Sequence, residues 1–277
     1  MAGLLEEYFP TIIISFTVLV VAATAFVKYN YGYWKRKGVP YFEPKFPFGN
    51  SDTLFPKGIS IGLISKKFYD QFKSTGQKIG GVFMGIQPYL IVLDPEIVKD
   101  VLIKDFQYFT DRGVYHTESD PLSVHLFSQE GLIWRNTRVS RPRTYNTGLT
   151  ITWVCTKDYI FKNSDVTVDK GTPLMISVTG LHHDPEYWPD PDRWDPDRFS
   201  EENKQKRQLL TFLPFGDGPR NCIGLRFGLL QTKVALITTL TKYRVTLSPK
   251  TITPLGRDPA TFALRPKNKI YLRFEKI

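Results

Sequence analysis

The sequence predicts a mixed α and β domain carried on an N-terminal transmembrane helix, and three observations carry that expectation. Phe9 to Val27 holds no charged residue, and a run of that length spans a bilayer as a helix. Gly80 to Leu93, followed by Asp94-Pro95-Glu96, reads as strand, turn, strand and helix. From Leu225 the apolar residues Phe227, Leu230, Val234 and Ile237 recur at spacings of 3, 4 and 3, which is the period of a helix with one apolar face.

Composition bounds the function. At 277 residues, 42% hydrophobic and 14% aromatic, the chain has enough apolar material for one large domain or two modest ones and is not a disordered polymer. Cys155 and Cys222 are its two cysteines, giving neither a CxxC pair nor a disulfide framework, as in a reducing compartment. His116, His125, His182 and His183 stand at no zinc-ligand spacing from a cysteine, so they read as ordinary surface or loop residues and no zinc site is expected. A net charge of +10 suits nucleic acid, acidic lipid or an acidic protein. Nothing else resembles a nucleic-acid module, so no nucleic-acid partner is expected.

Taken in order, residues 1–28 form the membrane anchor. Glu6 and Glu7 precede the apolar run while Lys28, Lys35, Arg36 and Lys37 follow it, which places the N-terminus outside and the body in the cytosol, in a single pass. The absence of a basic region before the run argues for an uncleaved anchor over a signal peptide. Tyr29, Tyr31, Tyr33 and Trp34 are expected at the membrane interface. Residues 29–50 form a stiff linker, because Pro40, Pro44 and Pro47 lack amide donors and restrict their neighbours. Residues 51–277 are the domain. In it, Ile64 to Phe72 reads as an amphipathic helix, the turn between the first two strands is placed at Gln87-Pro88, and the helix opened at Asp94 runs through Ile103. Val166 to Pro173 reads as a hairpin turning at Asp169-Lys170-Gly171, with a strand from Leu174 to Val178. Pro185, Pro189, Pro191 and Pro196 impose an irregular loop. Tyr243 to Leu247 and Lys269 to Phe274 read as strands of a small C-terminal sheet.

The chemistry concentrates in Thr211 to Gly228. Phe215, Gly216, Gly218, Arg220, Cys222 and Gly224 compose Phe-Gly-x-Gly-x-Arg-x-Cys-x-Gly, a turn that can bring backbone amides close to one sulfur just before a helix N-terminus. Amides and helix dipole both favour a thiolate, and a soft thiolate in an apolar setting suits haem iron. The plainer alternative is a buried structural thiol. Trp134 and Arg138 lie four apart, on one helical face; in isolation they read as a core tryptophan and a solvated arginine.

The glycine-rich loop resembles the haem-binding loop of the cytochrome P-450 family, and Gly80 to Leu93 together with Phe106 to Gly113 is similar to the N-terminal sheet region of its microsomal members, nearest the insect family-six group. The resemblance implies a partial cytochrome P-450 fold in which residues 51–277 are a truncated haem domain. It implies haem b, with Cys222 as axial ligand to the iron, with Phe215, Gly216, Gly218 and Gly224 in the cofactor loop, and with Trp134, Arg138 and Arg220 at the haem propionates. It further implies insertion of one oxygen atom from O2 into a lipophilic small molecule, with electrons reaching the haem from NADPH through a flavoprotein cytochrome P-450 reductase, at the endoplasmic reticulum membrane. A basic surface of Lys204, Lys206, Arg207, Arg220 and Arg226 would meet that acidic reductase, or is simply a solvated face.

After Arg138 the chain departs from the family. The reading VSRPRTYNTGLTITWVCTKDYIF matches only a region well downstream, so a central segment larger than a typical domain (~100–150 residues) is expected to be missing, with the junction near 139–143. The distal helix that organises proton delivery falls in the gap, and no catalytic residue is identified. If Arg143 matches the arginine of the family's Glu-x-x-Arg motif, Ser140 stands in place of the glutamate, and Arg198 of Pro196-Asp197-Arg198-Phe199 loses the carboxylate it pairs with. Trp153 aligns with a position where relatives place a further propionate-binding arginine. The alternative function is therefore a catalytically inactive truncated or splice product, membrane-anchored and at most binding haem.

Overall fold

The computed structural model describes residues 2–51, 59–114, 128–131, 134–135, 150–162, 166–259 and 265–277. Helix α1, Ala2–Tyr31, contains the expected apolar run. Its stretch Tyr8–Tyr31 is long and apolar enough to cross a membrane by length and composition. Thr17 and Thr24 donate to the carbonyls of Ile13 and Val20, each at 2.8 Å, so the hydroxyls within the run are satisfied by the helix itself.

The foot of α1 is built into the domain, which corrects the expectation of an aromatic interface girdle. Trp34, in the short helix α2 (Tyr33–Arg36), is fully buried. Its indole Nε1 donates to Val82 O at 3.1 Å, and its ring lies against Gly81, where a Cβ would come within 2.4 Å of it. Tyr31 packs edge-on against Phe83 with ring centres 5.2 Å apart. The Tyr33 hydroxyl donates to Asp169 at 3.0 Å, and Lys37 pairs with the same carboxylate at 2.5 Å. Of the four aromatics, Tyr29 alone stays well exposed, at 67%. The proline-rich stretch is free of helix, as its prolines dictate, yet it is docked: Gly81 N–H donates to Pro40 O at 2.7 Å and Phe42 N–H to Gly81 O at 3.1 Å. Phe42 also stacks on Phe72 at 4.1 Å.

The core is a four-stranded mixed sheet in the order β1 (Ile79–Met84), β2 (Gln87–Val92), β6 (Pro173–Ile176), β3 (Ile151–Val154). The first turn falls at Gly85-Ile86 instead of Gln87-Pro88, with Gly85 at φ 62°. Pro88 is tolerated inside β2 because parallel pairing with β6 starts only at Leu90, leaving that end of the strand one neighbour. Helix α3, Ile61–Ser74, lays Ile64, Phe68, Tyr69 and Phe72 into the core, the amphipathic pattern expected. Asp94 caps α4 (Pro95–Lys99) by accepting from Glu96 N–H at 2.8 Å, and the chain continues as a wider π turn over Asp100–Lys104.

The expected hairpin at Asp169-Lys170-Gly171 is not one. The turn closes, with Thr172 N–H on Asp169 O at 3.0 Å, but β5 (Thr167–Val168) pairs with β4 (Tyr159–Ile160), while β6 enters the main sheet between β2 and β3. The strand after the turn ends at Ile176 because Ser177 caps α5 (Val178–His182), its Oγ accepting from Gly180 N–H at 3.1 Å. A short helix α6 covers Glu201–Lys206, and α7 covers Leu225–Leu240. The strands β7 (Tyr243–Leu247) and β8 (Leu272–Lys276) pair antiparallel, Tyr243 facing Lys276, so the last strand begins later than the expected Lys269. Helix α7 departs from the one-sided pattern read from its sequence: Phe227, Leu230, Val234 and Ile237 are all exposed, as are Leu229 and Leu236 between them, and none of its residues is buried.

Candidate functional site

The loop from Leu213 to Gly224 is shaped by backbone bonds. Gly216 N–H donates to Leu213 O at 3.2 Å, Asn221 N–H to Gly218 O at 3.0 Å and Cys222 N–H to Phe215 O at 2.8 Å. Gly216 and Gly218 hold φ of 68° and 72°, a region that side chains other than glycine's strain to enter. Gly218 also lies so close to the π turn that a Cβ there would sit 1.9 Å from Leu102 O. These two requirements draw the loop in against the domain and leave Cys222, 8% exposed, just ahead of α7.

Cys222 lines a cavity of about 170 Å³ whose other walls include Arg112, Trp153, Phe215, Gly216 and Arg220. Arg220 is 3% exposed. Its Nη2 donates to Gln129 O at 2.7 Å, and its guanidinium carbon lies 4.1 Å from the centre of the Trp134 ring. Arg112 donates from Nη2 to Arg220 O at 2.9 Å and lies 5.3 Å from the Trp153 ring centre. Phe106 packs between the two indoles, 5.9 Å from Trp134 and 5.7 Å from Trp153, the latter edge-on. Aromatic faces thus carry two guanidiniums into a poorly solvated wall, where their attraction for an anion is stronger than in water.

Of the residues singled out in the sequence, Cys222, Phe215, Gly216 and Arg220 meet at this cavity, while Gly218 and Gly224 belong to the backbone that frames it. Trp134, 5% exposed, supports Arg220 from behind. Arg138 and the junction at 139–143, with Ser140 and Arg143, lie outside the described residues. Arg112 is the residue that sequence reasoning missed: it sits inside the Phe106 to Gly113 stretch already singled out, but neither its type nor its spacing from Cys222 signals that the fold joins them.

Three other readings are corrected. Arg220 is buried and so is no part of a basic surface; Arg207 sits among Trp188, Phe199 and Phe212 at 4.9, 5.2 and 4.9 Å from Trp188, Phe212 and Phe199 respectively, and Lys204 and Lys206 pair with Glu201 and Glu202. Arg198 is not stranded: it donates to Pro189 O at 2.6 Å and Asp190 O at 2.8 Å, carbonyls taking the place of a carboxylate. His182 is no ordinary surface residue, since its Nε2 accepts from Leu213 N–H at 2.8 Å beside the loop. Burial lowers its pKa to about 4, which keeps the ring neutral and able to accept.

The donors at the cavity can be tested against the haem implied by the sequence. A cysteine sulfur supplies a soft ligand for iron, and two guanidiniums supply forked donors for carboxylates. The Trp153 indole Nε1 is buried and finds no hydrogen-bond acceptor among the described residues. In chemistry, the set fits a metalloporphyrin bearing carboxylates.

Comparison with known proteins agrees. The family model described as Cytochrome P450 matches residues 142–273. The chain is 45% identical over 122 residues to Probable cytochrome P450 6a14 of Drosophila melanogaster, covering 44% of this chain and 24% of that one. It is 45% identical over 123 residues to Cytochrome P450 6k1 of Blattella germanica, covering 44% and 24%. In these two the match spans about a quarter of the relative's length. Against Cytochrome P450 6A1 of Musca domestica the identity is 23% over 494 residues, covering 94% of this chain and 97% of the relative. An alignment of that length exceeds the 277 residues available, so much of the relative's interior faces no residue here.

Proposed function

Because the chain belongs to the cytochrome P450 family, we propose that it is a haem-thiolate protein whose site is the Cys222 cavity, built for monooxygenation of a lipophilic small molecule with electrons from NADPH through a flavoprotein reductase. The observation that carries the reading is the convergence of Cys222, Arg112 and Arg220 on one cavity, because thiol and guanidiniums answer to the metal and the carboxylates of one ligand. Bound haem supplies the oxygen-activating chemistry. Cys222 would hold the iron through its sulfur, and Arg112 and Arg220 would hold the carboxylates. Trp134 holds the Arg220 guanidinium in place, and Gly216 and Gly218 set the sulfur's position through the loop. The α1 segment is a single-pass anchor in the endoplasmic reticulum membrane with the body, from residue 51 onward, in the cytosol; the docked stretch 29–50 joins the two.

A second reading is favoured by two specific observations. Helix α7 bears apolar residues on every side and buries none of them, and the cavity of about 170 Å³ is smaller than most small-molecule sites (about 300–1,000 Å³). Both are what a domain short of an interior segment would leave. On this reading the chain is membrane-anchored, at most binds haem and completes no turnover.

The reduced carbon monoxide difference spectrum of the purified full chain tests the first step of either reading. A thiolate-type Soret band, abolished in Cys222→Ala, is expected. No haem uptake, or uptake unaffected by Cys222→Ala, would remove Cys222 from the role given to it. Coupled NADPH use and product formation with a reductase and lipophilic substrates would exclude the second reading.

A further inference from the structure

Resting on the reading of α1 as a membrane anchor, and independent of the haem, we infer that α7 and the ribbon of β7 and β8 form a second membrane contact, docked on the surface of an anionic phospholipid bilayer. The ribbon has two unlike sides. Its register sets Val245 against Phe274 and Leu247 against Leu272, and the alternation of a strand gathers these four with Tyr243 on one side, leaving Arg244, Thr246, Arg273 and Glu275 on the other. The apolar side is uncovered: Tyr243, Leu247, Leu272 and Phe274 are all exposed, Phe274 at 56%. Tyr243 meets Phe274 edge-on at 6.0 Å, so neighbouring rings make this side a continuous surface. Helix α7 runs into β7 through Thr241 and Lys242 and buries none of its apolar residues. A helix that is apolar all round belongs in apolar surroundings, and a contiguous exposed apolar surface marks a protein or membrane contact.

Charge decides between the two. Residues 225–277 hold eleven lysines and arginines against two acidic residues, Asp258 and Glu275, so nine of the ten net positive charges lie here and residues 1–224 carry a net charge of only +1. Arg226 and Lys233 on α7, Lys242 after it and Lys276 opposite Tyr243 are all exposed. A second copy docked through this segment would set nine positive charges against nine. An acidic protein answers the cations and leaves the apolar residues of α7 to be matched separately. An anionic bilayer answers both at once, with acyl chains for the apolar side and headgroups for the cations, and the long stems of lysine and arginine reach from one layer to the other. The α1 anchor holds the segment beside such a surface.

The test follows hydrogen–deuterium exchange of the full chain by mass spectrometry in detergent, in vesicles of phosphatidylcholine, and in vesicles of phosphatidylcholine mixed with phosphatidylserine. Each basic residue at an anionic surface contributes about fivefold, so residues 225–247 and 272–276 are expected to exchange at least about tenfold more slowly in the mixed vesicles than in phosphatidylcholine alone. The triple variant Lys233→Gln, Lys242→Gln, Lys276→Gln, at exposed positions, is expected to erase that difference, and so is high salt. Equal exchange of the parent chain in the two vesicle types overturns the inference, whether or not the variant folds. Equal slowing by soluble polyglutamate also overturns it, in favour of an acidic protein. Slowing in detergent that grows with protein concentration overturns it in favour of a second copy. The same spectra report α1 separately: loss of its protection, with the anionic selectivity of 225–247 kept, removes the anchor reading alone, and protected α1 without that selectivity removes this inference alone.

Discussion

The Arg220 guanidinium carbon stands 4.1 Å from the centre of the Trp134 ring, with the two residues 3% and 5% exposed. Desolvated cation–π contacts contribute about 2 kcal/mol, and here the contact also aims a cation at the Cys222 cavity. Trp134→Leu keeps an apolar filler and loses the π face. It is expected to lower stability by about 1–3 kcal/mol in urea unfolding and to weaken haemin binding roughly tenfold. Unchanged haemin affinity would show that Arg220 keeps its place without the ring.

Two glycines of the same loop should respond unequally to one added methyl. At Gly218 the Cβ meets Leu102 O at 1.9 Å, whereas at Gly216 the nearest atom is Ile151 Cδ1 at 3.6 Å. Both positions carry positive φ, so each Ala variant bears backbone strain of about 1 kcal/mol or more. Only Gly218→Ala must also push the loop away from the π turn. G218A is therefore expected to lose haemin binding while G216A retains it weakened, and equal behaviour of the two would show that the Leu102 contact does not position the sulfur.

Truncation should separate α1 from the domain within a few residues. Removing residues 1–28 deletes most of α1 and spares Tyr31, Tyr33 and Trp34, so the shortened chain is expected to fold and to bind whatever haem the full chain binds. Removing residues 1–38 also takes out the fully buried Trp34, and loss of a core aromatic of that size costs about 3–5 kcal/mol. That chain is expected to be unfolded by circular dichroism. Similar unfolding midpoints for the two truncations would contradict the docking of the helix foot.

His182 should impose an acid limit. Its ordinary pKa of 6.5 is lowered to about 4 by burial and by the neighbouring His183, so between these values the unfolded chain takes up a proton that the folded chain refuses. Stability tied to this residue is present above pH 6.5 and is lost as pH falls toward about 4, by up to about 3 kcal/mol. His182→Gln can still accept from Leu213 N–H and does not titrate. The difference in urea midpoint between parent and H182Q should change sign in favour of the variant on acidification; a difference independent of pH would exclude the assignment.

What the sequence revealed was local in origin. The loop around Cys222 is legible because glycine spacing encodes a backbone shape, and α1, α3 and α7 are legible because a helix repeats within a few residues. Pairings distant in sequence were not: β5 and β6 look like a hairpin from Asp169-Lys170-Gly171, but the partner that captures β6 is β2, more than eighty residues earlier. Arg112 meets Arg220 across a similar gap, by a direct hydrogen bond between residues 108 apart in the chain. Trp34 shows a further limit, since an aromatic after an apolar helix has the same composition whether it meets lipid headgroups or a glycine in a neighbouring strand.

The packing of Trp34 against Gly81, with Tyr33 and Lys37 both on Asp169, has a mechanical consequence. A domain on a loose leash tumbles independently of its anchor and presents every face to its surroundings in turn. Here α1 and the sheet share one lever arm, so tilting the helix turns the Cys222 cavity through the same angle. On the proposed reading of α1 as a membrane anchor, its pitch in a bilayer sets the height and heading of the cavity mouth, and fluorescence anisotropy of a probe on the domain should decay at the slow rate of the embedded helix.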